Sequence, residues 1–378
     1  MKTYDIVIIG GGASGLMCAN NLAHIFSVAV IDGVALGKKL LVTGNGRCNF
    51  TNINLDSAFY NTKQVQKYIK EFDEKDTIKF FKEMGIESFA DDEGRVYPLS
   101  ESAKDVQKAL TQKLSCDYIS GKVIRLTKKD LFEITLESGE VVKSKKVVMA
   151  CGNRNIEEIL SDFKLPFEKK EPVLCGFKVK GFDKSLFGLR EDAILRAENF
   201  EEKGQVQFRK DGISGIVVFN LSAKVKDAKP FDIEIELLPE ISESKIEDIL
   251  VYRRKNCGDF ALSDCLLGIL KGELAKYILK ECKILTEKRT LSRLSDIEIK
   301  SIAYKIKHLK MTCTEKYDDC QVLSGGISLK NLSDFQSEIK GLYFCGESTN
   351  VFGVCGGYNL QWAWLSGYCL AKELNKNL

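Results

Sequence analysis

Between Ile9 and Leu16 the chain reads Gly10-Gly11-Gly12-Ala13-Ser14-Gly15, which satisfies G-x-G-x-x-G. Glycines at those spacings allow a sharp turn, let an anion come up against bare backbone, and leave room for a helix to pack on a strand. The N–H groups at the start of that helix then face the anion. The motif alone also occurs in plain structural turns. Here an acid, Asp32, follows about twenty residues on, where a carboxylate can accept from ribose hydroxyls, with Gly33 next to it. Together they predict a dinucleotide site. Other reactive types lead less far. Cys48 has no second cysteine nearby for dithiol chemistry, and Cys313 and Cys320 read as inert thiols. The histidines are His24 and His308 alone, neither beside a second ligand at metal spacing, so no metal is expected.

The elements that must hold the motif are legible. Tyr4 to Ile9 is a β-rich apolar run, Ala13 to Phe26 has helical spacing, and Val28 to Ile31 is a second β-branched run, giving β-α-β. Residues 37–54 form a long loop rich in Gly, Asn and Thr, and such loops gather function. Lys63 to Phe72, Lys75 to Met84 and Ser102 to Leu114 read as helices, the last leading to a strand near Tyr118 and Ile119. Lys122 to Thr127, Leu131 to Leu136 and Glu140 to Val142 read as three short antiparallel strands, with Lys146 to Ala150 as a further buried strand and Lys143 to Lys146 as a solvated strand end.

From Glu171 to Glu236 strand-like runs alternate with turns: Leu174 to Val179, Gln205 to Phe208, Ile216 to Asn220 and Phe231 to Leu237. Ile246 to Arg253, Ala261 to Lys280 and Asp296 to Leu309 read as helices, and the chain closes with a strand at Gly341 to Cys345 and a helix from Tyr358 to Leu374. Trp362 and Trp364 lie inside that helix and read as core. The expected fold class is α/β: a Rossmann-like domain built from residues 1–170 and 320–378, with residues 171–319 inserted as a β-rich and helical substrate domain.

Composition narrows the function classes. The 378 residues are 44% hydrophobic and 29% charged, an ordinary globular balance. With 56 Lys and Arg against 53 Asp and Glu, and no long single-sign block, the footprint expected for nucleic acid is missing. The 13 cysteines are odd in number and include no C-x-x-C, which points to reduced thiols and a cytoplasmic location. The apolar stretch from Ile6 to Ile31 is broken by four glycines and by Asn20, Asn21 and His24, so neither a signal peptide nor a membrane span is expected.

Four segments carry a resemblance to a known family. They are the N-terminal glycine motif; Gly37 to Leu41 continuing through Gly44-Asn45-Gly46-Arg47-Cys48-Asn49 to Asn52; Gly94-Arg95-Val96-Tyr97-Pro98 with Ser100 and Ala103; and Gly341 to Glu347 through Gly356-Gly357-Tyr358-Asn359-Leu360 to Ala363. Gly212-Ile213-Ser214-Gly215 adds a weaker match. In this order they resemble the BaiN-like, aminoacetone-oxidase-like group of NAD(P)/FAD-dependent flavoproteins. The resemblance implies FAD held by Gly10, Gly12, Ala13, Ser14 and Gly15 at the pyrophosphate and by Asp32 and Gly33 at the ribose, with Val123 offering backbone to adenine. It places Lys39 and the loop Gly44, Asn45, Gly46, Arg47, Cys48 and Asn49 near the flavin. Glu347 falls at the ribityl chain and Gly356, Gly357, Tyr358, Asn359 and Leu360 at the pyrimidine edge of the ring, with Gly152 and Gly346 as further cofactor-binding positions. Glycines 356 and 357 would let the ring approach the first-turn N–H groups of the last helix.

Departures from the family pattern are Asp32 in place of Glu, Asn350 in place of Asp, and the turn Ala150-Cys151-Gly152-Asn153-Arg154 in place of an A-T-G-G type turn. The implied activity is an FAD-dependent oxidoreductase that moves a hydride between a small organic substrate or NAD(P)H and the flavin N5, with NAD(P)H as a transient reductant because no second G-x-G-x-x-G is present. The residues leave open an oxidase of small amines or aminoketones and an NAD(P)H-dependent enone reductase. They assign no catalytic acid or base and no oligomeric state. A flavin-bearing tRNA-modifying or nucleic-acid-binding protein is the alternative, disfavoured by the charge balance.

Overall fold

In a computed structural model the described residues are 2–22, 26–225, 230–284 and 286–376. His24, weighed above as a metal ligand, lies outside them. They divide into two compact units, Met1–Glu171 with Leu323–Leu378, and Pro172–Val322.

The first unit is organised by β1 (Thr3–Ile9), α1 (Ala13–Leu22) and β2 (Val28–Asp32). β1 is apolar on both faces because both are covered: Ile6 and Ile8 join the core under α1 while Val7 and Ile9 join the core on the opposite side. It pairs in parallel with β2, Ile6 opposite Val28, and with Val141–Met149, Ile6 opposite Lys146. The seven-stranded sheet runs Asp117–Ser120, β2, β1, Val141–Met149, Phe132–Leu136 and Val123–Lys128. Leu342–Phe344 adds in parallel to the Val147–Met149 end of the long strand, beyond the part that the antiparallel hairpin uses. The helix Tyr358–Lys376 then lies on α1, so closely that a Cβ at Gly367 would stand 2.5 Å from the Ser14 carbonyl oxygen.

One difference from the sequence reading lies here. Glu140–Val142 and Lys146–Ala150 are not two strands but one, Val141–Met149. The polar interruption at 143–145 is tolerated because Ser144, fully buried, donates to the Lys146 carbonyl at 2.6 Å.

The second unit is a closed, wholly antiparallel six-stranded barrel ordered Phe177–Val179, Gly212–Ser214, Phe200–Phe208, Arg190–Ala197, Phe231–Leu237 and Leu309–Lys316, the last pairing with the first. Its interior (Leu195, Ile233, Ile235) is continuous with the apolar faces of Glu243–Asn256, Gly272–Glu281 and Asp296–Lys307, through Ile246, Leu250, Ile278, Ile302 and Ile306. Ile216 to Asn220, read above as a strand, belongs instead to the helix Ile216–Lys224. The helix expected over Ala261 to Lys280 forms only over Gly272–Glu281, behind a left-handed Gly268. The helix expected to run to Leu309 ends at Lys307, where Leu309 begins a barrel strand.

Two polar devices fix the ends of this last helix. At its start Ser295 and Glu298 form a capping box, and Arg289 grips Glu298 with bonds of 2.7 and 3.0 Å. The guanidinium holds the Glu298 carboxyl down to about 2 against the opposing effect of burial. A depressed folded pKa contributes stability that is present above the unfolded value near 4.5 and is lost as pH falls toward about 2. Glu298→Gln should therefore flatten the acid limb of a urea-midpoint-against-pH curve across that window. An unchanged limb would show that the pair adds nothing.

At the helix's other end the Lys307 ammonium, buried, meets Glu236 at 2.7 Å and donates to the carbonyls of Leu238 at 3.0 Å and Ile241 at 2.8 Å. Burial would raise the Glu236 carboxyl, but bonds from Lys307 and from Arg196 at 2.8 Å outweigh it and the net shift is downward.

Candidate functional site

The glycines of the turn between β1 and α1 do different work. Gly10 sits at φ 110°, and a Cβ there would lie 2.5 Å from the Ala150 carbonyl. Gly15 is where α1 rides over the turn, since a Cβ would come within 1.9 Å of the Gly10 oxygen. At Gly12, by contrast, nothing lies within 4 Å of the place a Cβ would take. An open cradle therefore faces the first turn of α1, which carries no acidic residue. The turn's N–H groups and dipole favour an anion there, so the residues present fit a pyrophosphate.

Asp32 closes the turn from the end of β2. Its carboxylate accepts from the Gly11 N–H at 2.6 Å and from the Val34 N–H at 2.9 Å. The Asp32 carbonyl accepts from the Gly121 N–H at 3.0 Å, and a Cβ at Gly33 would meet that of Lys122 at 3.2 Å. Val123 is thereby brought beside Asp32 and Gly33, where the resemblance puts ribose and adenine. A charge-assisted hydrogen bond contributes about 1.5 to 3 kcal/mol, so Asp32→Ala should weaken FAD binding roughly ten- to a hundredfold. Asp32→Asn, which keeps an acceptor for Gly11, should fall between. Equal dissociation constants for all three would remove Asp32 from the site.

The loop after β2 winds through 3-10 turns over Lys38–Gly46 and then reverses, with left-handed backbone at Gly44 (φ 56°), Asn45 (57°), Gly46 (85°) and Cys48 (60°). The reversal is closed by Arg47 N–H to the Gly44 carbonyl at 3.2 Å and Cys48 N–H to the Thr43 carbonyl at 3.0 Å. Cys48 is fully buried, which pushes its thiol up to about 12. A thiol so held is not a nucleophile at neutral pH. Cys48→Ser should retain FAD and flavin reduction, read by anaerobic titration with a reductant; turnover lost with FAD still bound would restore a role for the sulfur.

Asn49 ties the loop to the last helix. With its amide oriented by its neighbours, it donates to the carbonyls of Thr51 at 2.9 Å and Val96 at 3.2 Å and accepts from the Gly357 N–H at 3.1 Å. Gly357 itself, at φ 100°, is required by the Thr51 carbonyl, which a Cβ would meet at 2.3 Å. Strand and helix backbones touch there, a packing reason for this glycine that the sequence did not show. Gly356, at φ 130°, faces the Tyr358 ring.

The first intrahelical bond is from Gln361 N–H to the Gly357 carbonyl at 2.9 Å, leaving the N–H groups of Tyr358, Asn359 and Leu360 without helical partners. These side chains serve structure. Tyr358 stacks on Phe59 with centroids 4.7 Å apart, Asn359 bonds both backbone groups of Gly353 at 2.9 Å, and Leu360 packs on the core. Trp362 and Trp364 are buried core, their indole N–H groups donating to the carbonyls of Gly346 at 3.2 Å and Phe50 at 2.9 Å.

Gly346 abuts the start of α1, where a Cβ would lie 2.4 Å from the Ser14 hydroxyl oxygen. Next to it, Glu347 pairs with Lys39 at 2.5 Å, and Gly152 lies alongside, its Cβ position 3.7 Å from the same carboxylate oxygen. The structure thus joins Asp32, Gly33 and Val123 into one group, Ser14, Gly152, Gly346, Glu347 and Lys39 into a second, and Asn49 with Gly357 into a third. Sequence reasoning missed the partners of Arg47. Its guanidinium lies over the Tyr97 ring at 4.5 Å and pairs with Glu101 at 3.1 Å. No local spacing signals a contact across fifty intervening residues; the only hint was the Gly94 to Pro98 segment. Among the described residues no three His, Cys, Asp or Glu could share a metal, and no helix is long and apolar enough to cross a membrane.

The fold and this site define an FAD-dependent flavoprotein oxidoreductase. The chain belongs to the HI0933-like protein family, whose Rossmann-domain profile matches residues 4–373. It is 29% identical to a 3-dehydro-bile acid delta(4,6)-reductase of Clostridium scindens, over 97% of this chain and 98% of that one. It is 28% identical to a ribosomal RNA dihydrouridine synthase of Haemophilus influenzae, with the whole of both chains covered. Among solved structures, a 3-ketosteroid-delta4-(5alpha)-dehydrogenase of Rhodococcus jostii shares 13% identity at a TM-score of 0.49, over 98% of this chain and 97% of that one.

Proposed function

We propose that the protein reduces a carbon–carbon double bond conjugated with a carbonyl group in a small organic substrate, with NAD(P)H as the transient reductant. The observation that carries this reading is the match, over 97% of this chain, to a relative named as a 3-dehydro-bile acid delta(4,6)-reductase. A 4,6-diene conjugated to a 3-oxo group is an unsaturated carbonyl compound.

In this reading Gly12 and the first turn of α1 hold the pyrophosphate, Asp32 the ribose, and Lys39 with Glu347 the ribityl chain. The N–H groups of Tyr358, Asn359 and Leu360 face the pyrimidine edge. FAD bound there supplies hydride transfer at N5. The protein's own contribution is to orient and to set charge: amides at the pyrimidine edge favour the negative charge that reduction places there. We assign substrate selection to residues 172–322. A small molecule is favoured over RNA because the net charge of +3 is dispersed over 378 residues.

The test is anaerobic mixing of the oxidised, FAD-loaded protein with NADH, NADPH or an aminoketone as reductant, followed by addition of a 3-oxo-Δ4 steroid or ribosomal RNA to the reduced protein. Rapid reoxidation by the steroid with a saturated product supports the proposal. Reoxidation by air alone, or dihydrouridine formed in RNA with no steroid turnover, overturns it.

A further inference from the structure

Arg47 stands out among the charged residues of the loop. It lies between two left-handed residues, Gly46 and Cys48, and two positions before Asn49, the residue bonded to the N-terminus of the last helix. Its guanidinium has five N–H donors. One nitrogen reaches Glu101 Oε1 at 3.1 Å and another approaches the Tyr97 hydroxyl at a weak 3.5 Å, while the guanidinium carbon lies 4.5 Å from the centre of the Tyr97 ring. The remaining donors have no protein acceptor among the described residues, and the side chain is 43% exposed.

Glu101 is itself held at some cost. It occupies left-handed backbone at φ 47°, with its N–H bonded to the Pro98 carbonyl at 2.8 Å. That conformation is unfavourable for a residue that is neither glycine nor asparagine. The small sheet that carries Tyr97 is registered on the flavin loop, Thr51 opposite Val96 and Asn52 opposite Arg95, and Asn52 donates to the Gly356 carbonyl at 2.9 Å. Arg47 is thus clamped from the side of Arg95–Pro98 and presents its free donors from the loop that the helix N-terminus anchors.

We propose that Arg47 binds the carbonyl oxygen of the substrate and that Glu101 is the residue that positions it. The inference rests on the enone-reductase reading. Saturating the double bond takes a hydride at the β-carbon and a proton at the α-carbon, the electron pair coming ultimately from NAD(P)H and the proton from solvent. As the hydride adds, the π pair moves onto the carbonyl oxygen. A guanidinium bonded to that oxygen stabilises the developing charge, and when the α-carbon takes its proton the C=O bond re-forms. A planar fork held over an aromatic ring suits this task better than a mobile ammonium.

The experiment uses the FAD-loaded full chain with 4-nitrophenol, whose phenolate mimics the enolate and reports its own ionisation by colour. The unaltered protein should bind the phenolate in preference to the phenol and so lower the probe's apparent pKa. Arg47→Met should abolish that shift, weaken phenolate binding roughly ten- to a hundredfold and lower kcat on the enone by a similar factor, with FAD content unchanged. Arg47→Lys should recover only part of each. Glu101→Gln should weaken phenolate binding less than Arg47→Met does, and Glu101→Asp should rescue it.

Undiminished phenolate binding and kcat in Arg47→Met overturn the proposal, and so does loss of FAD from both Arg47 variants, which would make Arg47 a cofactor ligand instead. If the unaltered protein reduces no enone, the enone-reductase reading itself fails. Turnover that survives Arg47→Met removes only the role of Arg47.

Discussion

Replacing Gly12 by Ala should leave the protein folded and cost roughly ten- to a hundredfold in FAD affinity, whereas replacing Gly15 by Ala should cost the fold itself. The two glycines stand three residues apart in one motif, yet an added methyl would meet nothing within 4 Å at the first and a backbone oxygen at 1.9 Å at the second. At Gly12 the methyl fills only the cradle, so it displaces the pyrophosphate from one charge-assisted backbone bond of about 1.5 to 3 kcal/mol. At Gly15 no side chain can yield, and α1 must lift off β1. Overpacking of this kind costs about 1 to 3 kcal/mol where neighbours can shift and more where the neighbour is backbone. The measurements are FAD fluorescence quenching and thermal unfolding of the cofactor-free proteins. A normal dissociation constant for Gly12→Ala would mean that the cradle is not where phosphate binds.

Lys307→Ala should destabilise the second unit by about 3 to 5 kcal/mol, the usual cost of removing one partner from a buried ion pair. The ammonium meets one carboxylate and two carbonyls. Its removal takes the Lys307 donor from the Ile241 carbonyl, leaves the Leu238 carbonyl with only the Ile241 N–H at 3.0 Å, and leaves Glu236 to Arg196 alone. Lys307→Met, which restores most of the volume, should recover only the packing part of the loss. Urea unfolding followed by a probe in residues 172–322 gives the number, and a loss below about 1 kcal/mol, the range of exposed pairs, would show that water reaches the ammonium.

How much of this was legible beforehand depends on the range of the interaction that decides each element. The strand, turn and helix from Thr3 to Asp32 were readable because glycine spacing and apolar periodicity act locally. Ile216–Lys224 was misread because Ile216, Val217 and Val218 are β-branched and the helix has apolar residues on most sides; a short buried run has no period that separates helix from strand. Arg190–Ala197 escaped notice because its alternation is masked by charged ends, Arg190-Glu191-Asp192 and Arg196. Barrel closure between Leu309–Lys316 and Phe177–Val179 has no local signature at all. In the site, the residues on glycine turns could be named from sequence, while the reason for Gly357 could not. It depends on the Thr51 carbonyl, and nothing near Gly357 in the chain announces that neighbour.

The strand Val141–Met149 leaves the nascent chain with a problem of timing. Its first half is occupied at once by the hairpin partner Phe132–Leu136, and its other edge by β1. The Val147–Met149 half waits for Leu342–Phe344, which emerges from the ribosome only after the whole of Pro172–Val322 has been made. Meanwhile an apolar strand edge stands open, the kind of template that recruits foreign strands. The barrel unit, whose core needs no residue from outside it, can form during that interval. Translation speed through residues 172–322, and the chaperones met on the way, therefore bear on the yield of the cofactor domain more than on that of the barrel.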